Sequence, residues 1–285
     1  MSTQLQFRKQ QRAKKRKKKM RRTIFFSVLS LIIIIILISC VKGFLSKNGK
    51  NYTMDSDFIY NGYIYPQPPE KNVDILVDAK KFDNIKTAYL TFDDGPNNSI
   101  TPAVLDILRR YNIKATFFMV GTLIEKNPDM ARRVYDEGHC IANHSYNHDY
   151  SELYANTTDF MSQINKTQEL IASVTNKNNY PKIFRFPGGG YNAGSYGALK
   201  QDCKVTLQEA GYRFCDWNSL TGDAELKSPT AEGIFKRLAS SSKDKEDLVV
   251  LMHDAVAKKI TAETLGGVID YLISQGYVFD TLANI

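Results

Sequence analysis

From Thr87 onward the apolar and polar positions fall into short blocks whose period switches between about two and about 3.6 residues. Ala88-Tyr89-Leu90-Thr91-Phe92 is a β-prone run, ended by Asp93-Asp94-Gly95-Pro96. Residues 101–111 then place Val104, Leu105, Leu108 and Tyr111 at helical spacing. The two patterns alternate from there. Strands are predicted over 115–120, 140–142, 182–185, 212–217, 248–252 and 277–279. Helices are predicted over 127–137, 157–175, 195–210, 229–239 and 262–275, with Gly138 stopping one and Pro229 in the first turn of another. About seven strand–helix units of this kind predict an α/β fold with a parallel sheet covered by helices. A barrel and an open doubly wound sheet both fit.

The first 84 residues read differently. Residues 24–41 are uncharged and include the apolar run Leu31–Ile38, about the minimum length that spans a bilayer. Lys and Arg dominate the residues just before it, which predicts a cytoplasmic N-terminus. The expected organisation is a basic cytoplasmic tail over 1–23, a transmembrane signal-anchor over 24–45, an extracytoplasmic linker over 46–84 and a globular domain over 85–285. The linker is polar and carries Pro66-Gln67-Pro68-Pro69. Leu37-Ile38-Ser39-Cys40 resembles a lipoprotein cleavage box, so a chain lipidated at Cys40 is the alternative. Secretion after signal cleavage ranks below both, because no Ala-x-Ala site is present.

Charge sharpens this division. The 285 residues hold 38 Lys+Arg and 30 Asp+Glu, a net of +8. Residues 1–50 contain 14 of the basic residues and no acid, so the remaining 235 carry 24 against 30, a net of −6. A basic chain ordinarily raises nucleic acid as a partner. Here the excess is one tail beside an apolar run, and anionic lipid of the inner leaflet is the simpler partner. No nucleic-acid partner is expected, and the domain is expected to be a monomer. The four cysteines, Cys40, Cys140, Cys203 and Cys215, are too few for a disulfide scaffold, although Cys203 and Cys215 could pair outside the membrane.

Candidate chemistry gathers at strand ends. Asp93-Asp94, His144–His148, Arg185, Asp216/Asp223 and His253 each follow a predicted strand, the rim on which parallel α/β folds build their sites. His144 and His148 are spaced i,i+4; if that segment turns helically, both imidazoles share one face and can chelate one metal. Asp93 and Asp94 are adjacent carboxylates on a Gly-Pro turn, a costly arrangement that a divalent cation relieves. Two His and one Asp with an open position make a catalytic zinc-type site, and the other Asp can act as general base toward water. Arg185 can pair with that base and orient it. Gly188-Gly189-Gly190 allows backbone N–H groups to approach a ligand oxygen. His253 is a candidate general acid, and Trp217, the single tryptophan, can wall a site. No Gly-x-Ser-x-Gly elbow is present and no Gly-Lys-Ser/Thr follows the glycines, which argues against a serine hydrolase and a P-loop.

Taken in order, Thr91-Phe92-Asp93-Asp94-Gly95-Pro96, His144-Ser145-Tyr146-Asn147-His148, Arg185-Phe186-Pro187-Gly188-Gly189, Asp223 and Leu251-Met252-His253-Asp254 closely resemble the polysaccharide deacetylases, the NodB-homology domains of carbohydrate esterase family 4. The resemblance covers residues 87–285. It implies a distorted (β/α) barrel of about seven parallel strands and metal-dependent removal of N-acetyl groups from a sugar polymer. It assigns Asp93 as base, Asp94, His144 and His148 as metal ligands, and Arg185 as the arginine that orients the base. The Gly188 N–H becomes an oxyanion donor and His253 the general acid. Leu251 would line the acetyl-methyl pocket, and Asp223 would tune the catalytic histidine. The implied cofactor is one divalent metal ion, zinc foremost, with cobalt, manganese or nickel as alternatives. Two departures stand out. Ala224 follows Asp223 where the family often has Trp, and Phe186-Pro187-Gly188-Gly189 replaces the usual Pro-Pro-Tyr-Gly, so Tyr191 or Trp217 is expected to supply an aromatic wall. With an extracytoplasmic tether, the expected substrate is a cell-wall polysaccharide, foremost N-acetylglucosamine in peptidoglycan. N-acetylmuramic acid, exported poly-N-acetylglucosamine, chitin-like oligomers and acetylxylan are the alternatives. A non-catalytic glycan-binding pseudoenzyme is the alternative of a different class.

Overall fold

Thr91 and Asp93 are polar residues inside an otherwise apolar strand, and their alternation with Leu90 and Phe92 decides which side of the sheet becomes the site. The computed structural model describes residues 58–60, 63–65, 86–191 and 194–285. The expected basic tail, anchor and Cys40, and most of the expected linker, lie outside the described residues. Among the described residues no helix is long and apolar enough to cross a membrane. Strands β1 (Phe58–Tyr60) and β2 (Tyr63–Tyr65) pair antiparallel, Tyr60 opposite Tyr63. Asn61-Gly62 between two β-prone triplets is a strong hairpin signal within the stretch expected to be linker.

The main sheet is parallel throughout. Its strands are β3 (Thr87–Gly95), β4 (Thr116–Met119), β5 (Cys140–Asn143), β6 (Ile183–Phe184), β7 (Arg213–Phe214), β8 (Ser219–Leu220), β9 (Asp247–His253) and β10 (Val278–Phe279). The hydrogen-bonded order is β7-β6-β5-β4-β3-β9-β8, seven strands, with β10 paired only to β3. β4 joins β3 at Thr91, so β10 takes the same edge of β3 lower down, at Thr87 and Ala88. β7 and β8 are not bonded to each other, so the barrel is incompletely closed.

Helices α1 (Thr101–Tyr111), α2 (Gly121–Lys126), α3 (Pro128–Asp136), α4 (Tyr150–Leu153), α5 (Thr157–Thr175), α6 (Gly197–Glu209), α7 (Ala231–Ser241) and α8 (Lys259–Ser274) connect the strands. Local chemistry sets several of their ends. Asn156 accepts the Asp159 N–H and caps α5, and Thr230 accepts the Gly233 N–H and caps α7. Pro229 therefore precedes the cap of α7 rather than standing in its first turn. Asn112 and Asn176 end α1 and α5 in the left-handed conformation.

Burial on both faces explains why the strands read as nearly continuous apolar runs. Leu90, Phe92, Phe117, Ile141, Val250 and Met252 face outward into a core completed by α1, α3 and α8. Tyr89, Phe118, Ala142, Ile183, Cys215 and Val249 face inward and pack together with Leu282 from the C-terminal turn. A flat sheet could not bring Cys215, beyond β7, into one cluster with Val249 of β9. The sheet is curled, and this contact selects the barrel over the open sheet. Cys203 lies in a third cluster with Phe160, Phe184 and Phe214 outside the barrel. Cys140, Cys203 and Cys215 are all free and buried, so the pairing of Cys203 with Cys215 does not occur.

Candidate metal centre and active site

The barrel interior changes character upward. Above the apolar layer lies Arg185, fully buried although it carries a permanent charge. Its donors are spent in full view: Nε on the Cys215 carbonyl at 2.9 Å, Nη2 on the Asp216 carbonyl at 2.9 Å, and Nη1 on Thr91 Oγ1 at 2.7 Å and Asp93 Oδ1 at 2.8 Å. The guanidinium also stacks over Phe118, 4.0 Å from the ring centroid. Arg185 thus ties three strand ends to Asp93 and fixes that carboxylate in direction. Burial raises the Asp93 carboxyl above the ordinary range, while Arg185 and His253 pull it back. A carboxylate made more basic and aimed by a fixed guanidinium is suited to take a proton from water.

Asp94 follows at φ 71°, in the left-handed region, which turns its side chain out of the strand toward the two histidines. Its Oδ1 lies 3.5 Å from His144 Nε2 and 3.2 Å from His148 Nε2. That oxygen is buried and without a hydrogen-bond partner. Single ligand atoms of Asp94, His144 and His148 lie within 4.8 Å of one another. His144 Nδ1 sits 2.9 Å from the Arg185 carbonyl, so the proton belongs on Nδ1 and the Nε2 lone pair faces Asp94. Burial pushes the His144 pKa down to about 3, which keeps the ring neutral and ready as a ligand. An orphaned carboxylate oxygen facing two imidazole nitrogens is a donor set that fits a divalent cation. The helical turn expected between the histidines is absent. Ser145 and His148 both have positive φ, 69° and 58°, and this irregular turn brings the imidazoles to 5.1 Å between centroids.

His253 ends β9 beside Asp93, its register partner on β3. Asp223 meets it twice, Oδ1 at 3.0 Å from Nδ1 and Oδ2 accepting its backbone N–H at 2.7 Å. Thr261 Oγ1 donates to the same Oδ2 at 2.7 Å. Burial alone would lower the His253 pKa; the charge and hydrogen bond of Asp223, with Asp93 and Asp94 behind, push it up to about 10. The Asp223 contact therefore favours the protonated ring, the form that can donate.

The glycine loop is held from several sides. Gly189 N–H donates to the Phe186 carbonyl at 2.8 Å, and Gly190 N–H donates to both oxygens of Asp216. Tyr154, buried, donates to the Pro187 carbonyl at 2.9 Å. In a trans peptide C=O and N–H point opposite ways, so this bond turns the Gly188 N–H away from Tyr154. Tyr191 and Trp217 meet edge to face at 5.8 Å and flank Gly189. Leu251 is buried on the inward face of β9, two residues below His253 and level with Thr91. Every residue expected at the site thus lies on the C-terminal rim or just beneath it.

Several further residues support the site. Thr91 was visible as a polar residue in an apolar strand. Lys200, whose Nζ donates to the Gly189 carbonyl at 2.6 Å, and Tyr154 carry no local signal. Asp254 is fully buried beneath Gly95, bonded by Thr101 Oγ1, with its pKa pushed up to about 7 by burial. The fourth histidine, His139, is structural: its Nδ1 accepts the Ala115 N–H, and burial lowers its pKa to about 4.

Known proteins resemble this chain in sequence and in fold. The polysaccharide deacetylase family model matches residues 80–206. The peptidoglycan-N-acetylglucosamine deacetylase PgdA of Listeria monocytogenes is 35% identical over 197 residues, 69% of this chain; the chain spans only 38% of that relative's length. A peptidoglycan-N-acetylglucosamine deacetylase of Bacillus cereus is 32% identical over 203 residues, covering 71% of this chain and 89% of the relative. A CE4 esterase from Streptococcus mutans superposes with TM-score 0.63 at 33% identity, over 70% of this chain and 86% of that one. The family model ends before Asp223 and His253; in the fold His253 stands opposite Asp93, and Asp223 bonds to His253. On sequence, fold and rim geometry together, this chain belongs to the polysaccharide deacetylase family.

Proposed function

We propose that the protein is a metal-dependent hydrolase that removes N-acetyl groups from a cell-wall polysaccharide, foremost from N-acetylglucosamine in peptidoglycan. The observation that carries this is the convergence of three elements on one rim: the orphaned Asp94 Oδ1 facing two histidine nitrogens, the Arg185-held Asp93, and the Asp223-held His253. Asp94, His144 and His148 would hold the cation, and zinc suits a two-His, one-carboxylate set. When bound, it supplies Lewis acidity toward the acetamide carbonyl and acidifies water.

The protein groups account for the remaining steps. Asp93 accepts the proton as water attacks the acetyl carbon. The Gly188 N–H, directed by the Tyr154–Pro187 bond, donates to the developing oxyanion. Protonated His253 donates to the sugar nitrogen as the C–N bond breaks. Acetate and a free amine result. Leu251 offers an apolar wall of the kind an acetyl methyl requires.

The placement of the reaction rests on the sequence pattern. The basic block before residues 24–41 supports a tether with the catalytic domain outside the cell membrane, as a signal-anchor or through lipid on Cys40. Labelling with a fatty-acid probe separates the two: a lipoprotein takes up the acyl chain on Cys40 and fails to in Cys40→Ala, whereas a signal-anchor takes up none at that position. The reaction itself is tested by incubating the full chain with peptidoglycan and zinc, then weighing the released muropeptides. Loss of one acetyl from glucosamine units supports the reading, and loss from muramic acid units redirects it to that sugar. Acetate release from neither would sink it.

A further inference from the structure

The site has a bare spot at its oxyanion loop. Gly188 has φ 72° and no side chain, and the room beside it is taken by Tyr150. A Cβ placed on Gly188 would lie 2.7 Å from the Tyr150 hydroxyl and 3.2 Å from its ring. Tyr150 begins α4, two residues after the metal ligand His148, and their rings stand 5.6 Å apart. Tyr154 and Tyr196 meet it edge-on from behind, at 5.9 and 6.5 Å. Despite these neighbours Tyr150 keeps 38% of its surface exposed, and it is the one aromatic among the exposed large apolar side chains of the described residues. A rigid ring supported by two others, open to solvent between a metal ligand and an oxyanion donor, offers a ready platform for the C–H face of a pyranose.

We propose that Tyr150 is a substrate-binding residue, and that a sugar ring of the glycan packs on it over Gly188. The wall therefore comes from two places. Tyr191 and Trp217 flank Gly189, and Tyr150 covers Gly188 from the histidine turn. This inference rests on the reading of the cleft as a glycan site. It predicts that the ring matters more than the hydroxyl.

The test uses the full chain carrying Asp93→Asn, so that binding is read without turnover, loaded with zinc. The probe is the peptide-free tetrasaccharide of peptidoglycan, titrated by calorimetry. Tyr150→Ala is expected to weaken binding about tenfold or more, and Tyr150→Phe by less than about threefold, the scale on which a well-placed aromatic anchor contributes. Unchanged binding in Tyr150→Ala would overturn the proposal. So would a loss of zinc affinity in that variant, measured separately, because Tyr150 would then serve His148 rather than the sugar. Acetate release by the unmodified chain is scored independently, so a failed platform and a failed deacetylase give different results.

Discussion

At the scale of single residues, the chemistry depends on pairs rather than on isolated groups. Asp93 without Arg185 would be a buried carboxylate with every reason to take up a proton. His253 without Asp223 would be a buried imidazole held neutral. Asp93→Asn keeps the shape of the site but loses the proton acceptor, so turnover should fall by about 10²–10⁴-fold. Zinc affinity should persist, since Asp94 and the two histidines remain; near-normal turnover would exclude Asp93 as the base. The second pair makes a prediction about pH. In the proposed reaction the acid is the protonated form of His253, so activity should be present below its folded-state pKa and lost as pH rises through it. Asp223 is the leading upward influence against the downward pull of burial. Asp223→Asn should therefore move the alkaline limb of kcat/KM to lower pH, and a limb that stayed in place would show that another group donates. Bound zinc offsets the charge of Asp94, one of the influences that raise His253, so the limb in the loaded enzyme should lie below about 10.

At the scale of elements, what matters is how strand ends are bent. β3 runs regularly from Thr87 to Asp93, then shifts register between Asp93 and Gly95. That irregularity sends two successive carboxylates to different partners, Asp93 to Arg185 and Asp94 to the histidines. Gly95 is required there because a Cβ would collide with both carboxylate oxygens of the buried Asp254. Gly95→Ala should cost about 1–3 kcal/mol by overpacking and should weaken zinc binding as Asp94 shifts, read by thermal melting and metal titration. The elements themselves were largely legible. The long helices α1 and α5 and the strands β3 and β9 announce themselves by period, and their observed bounds fall within three residues of those expected. The pieces that escaped are short: the β1–β2 hairpin, α2, α4 and the two-residue β8. Too few residues lie in each for a periodicity to show, and long-range pairing holds β8 in place.

At the scale of the whole molecule, one barrel joins an apolar interior to a polar rim, and a cation at the rim would bind the folded state alone. Zinc at about 100 times its dissociation constant should stabilise the protein by about 2.7 kcal/mol and raise the melting temperature. His144→Ala should abolish both the rise and the activity. A zinc-dependent shift that survived in that variant would place the metal elsewhere. Amino-acid order alone determined the α/β class, the apolar run and basic block of the first 41 residues, and which ionisable residues follow the strand ends. Those features are local: a period, a charge run, a residue type beside a turn. Whether the sheet curls, which aspartate meets the arginine and which the histidines, how an irregular turn rather than a helix converges His144 and His148, and why Tyr150 stands over Gly188 were decided only by tertiary structure. Each depends on groups far apart in the chain, and their meeting is set by strand register and by the packing that closes the barrel.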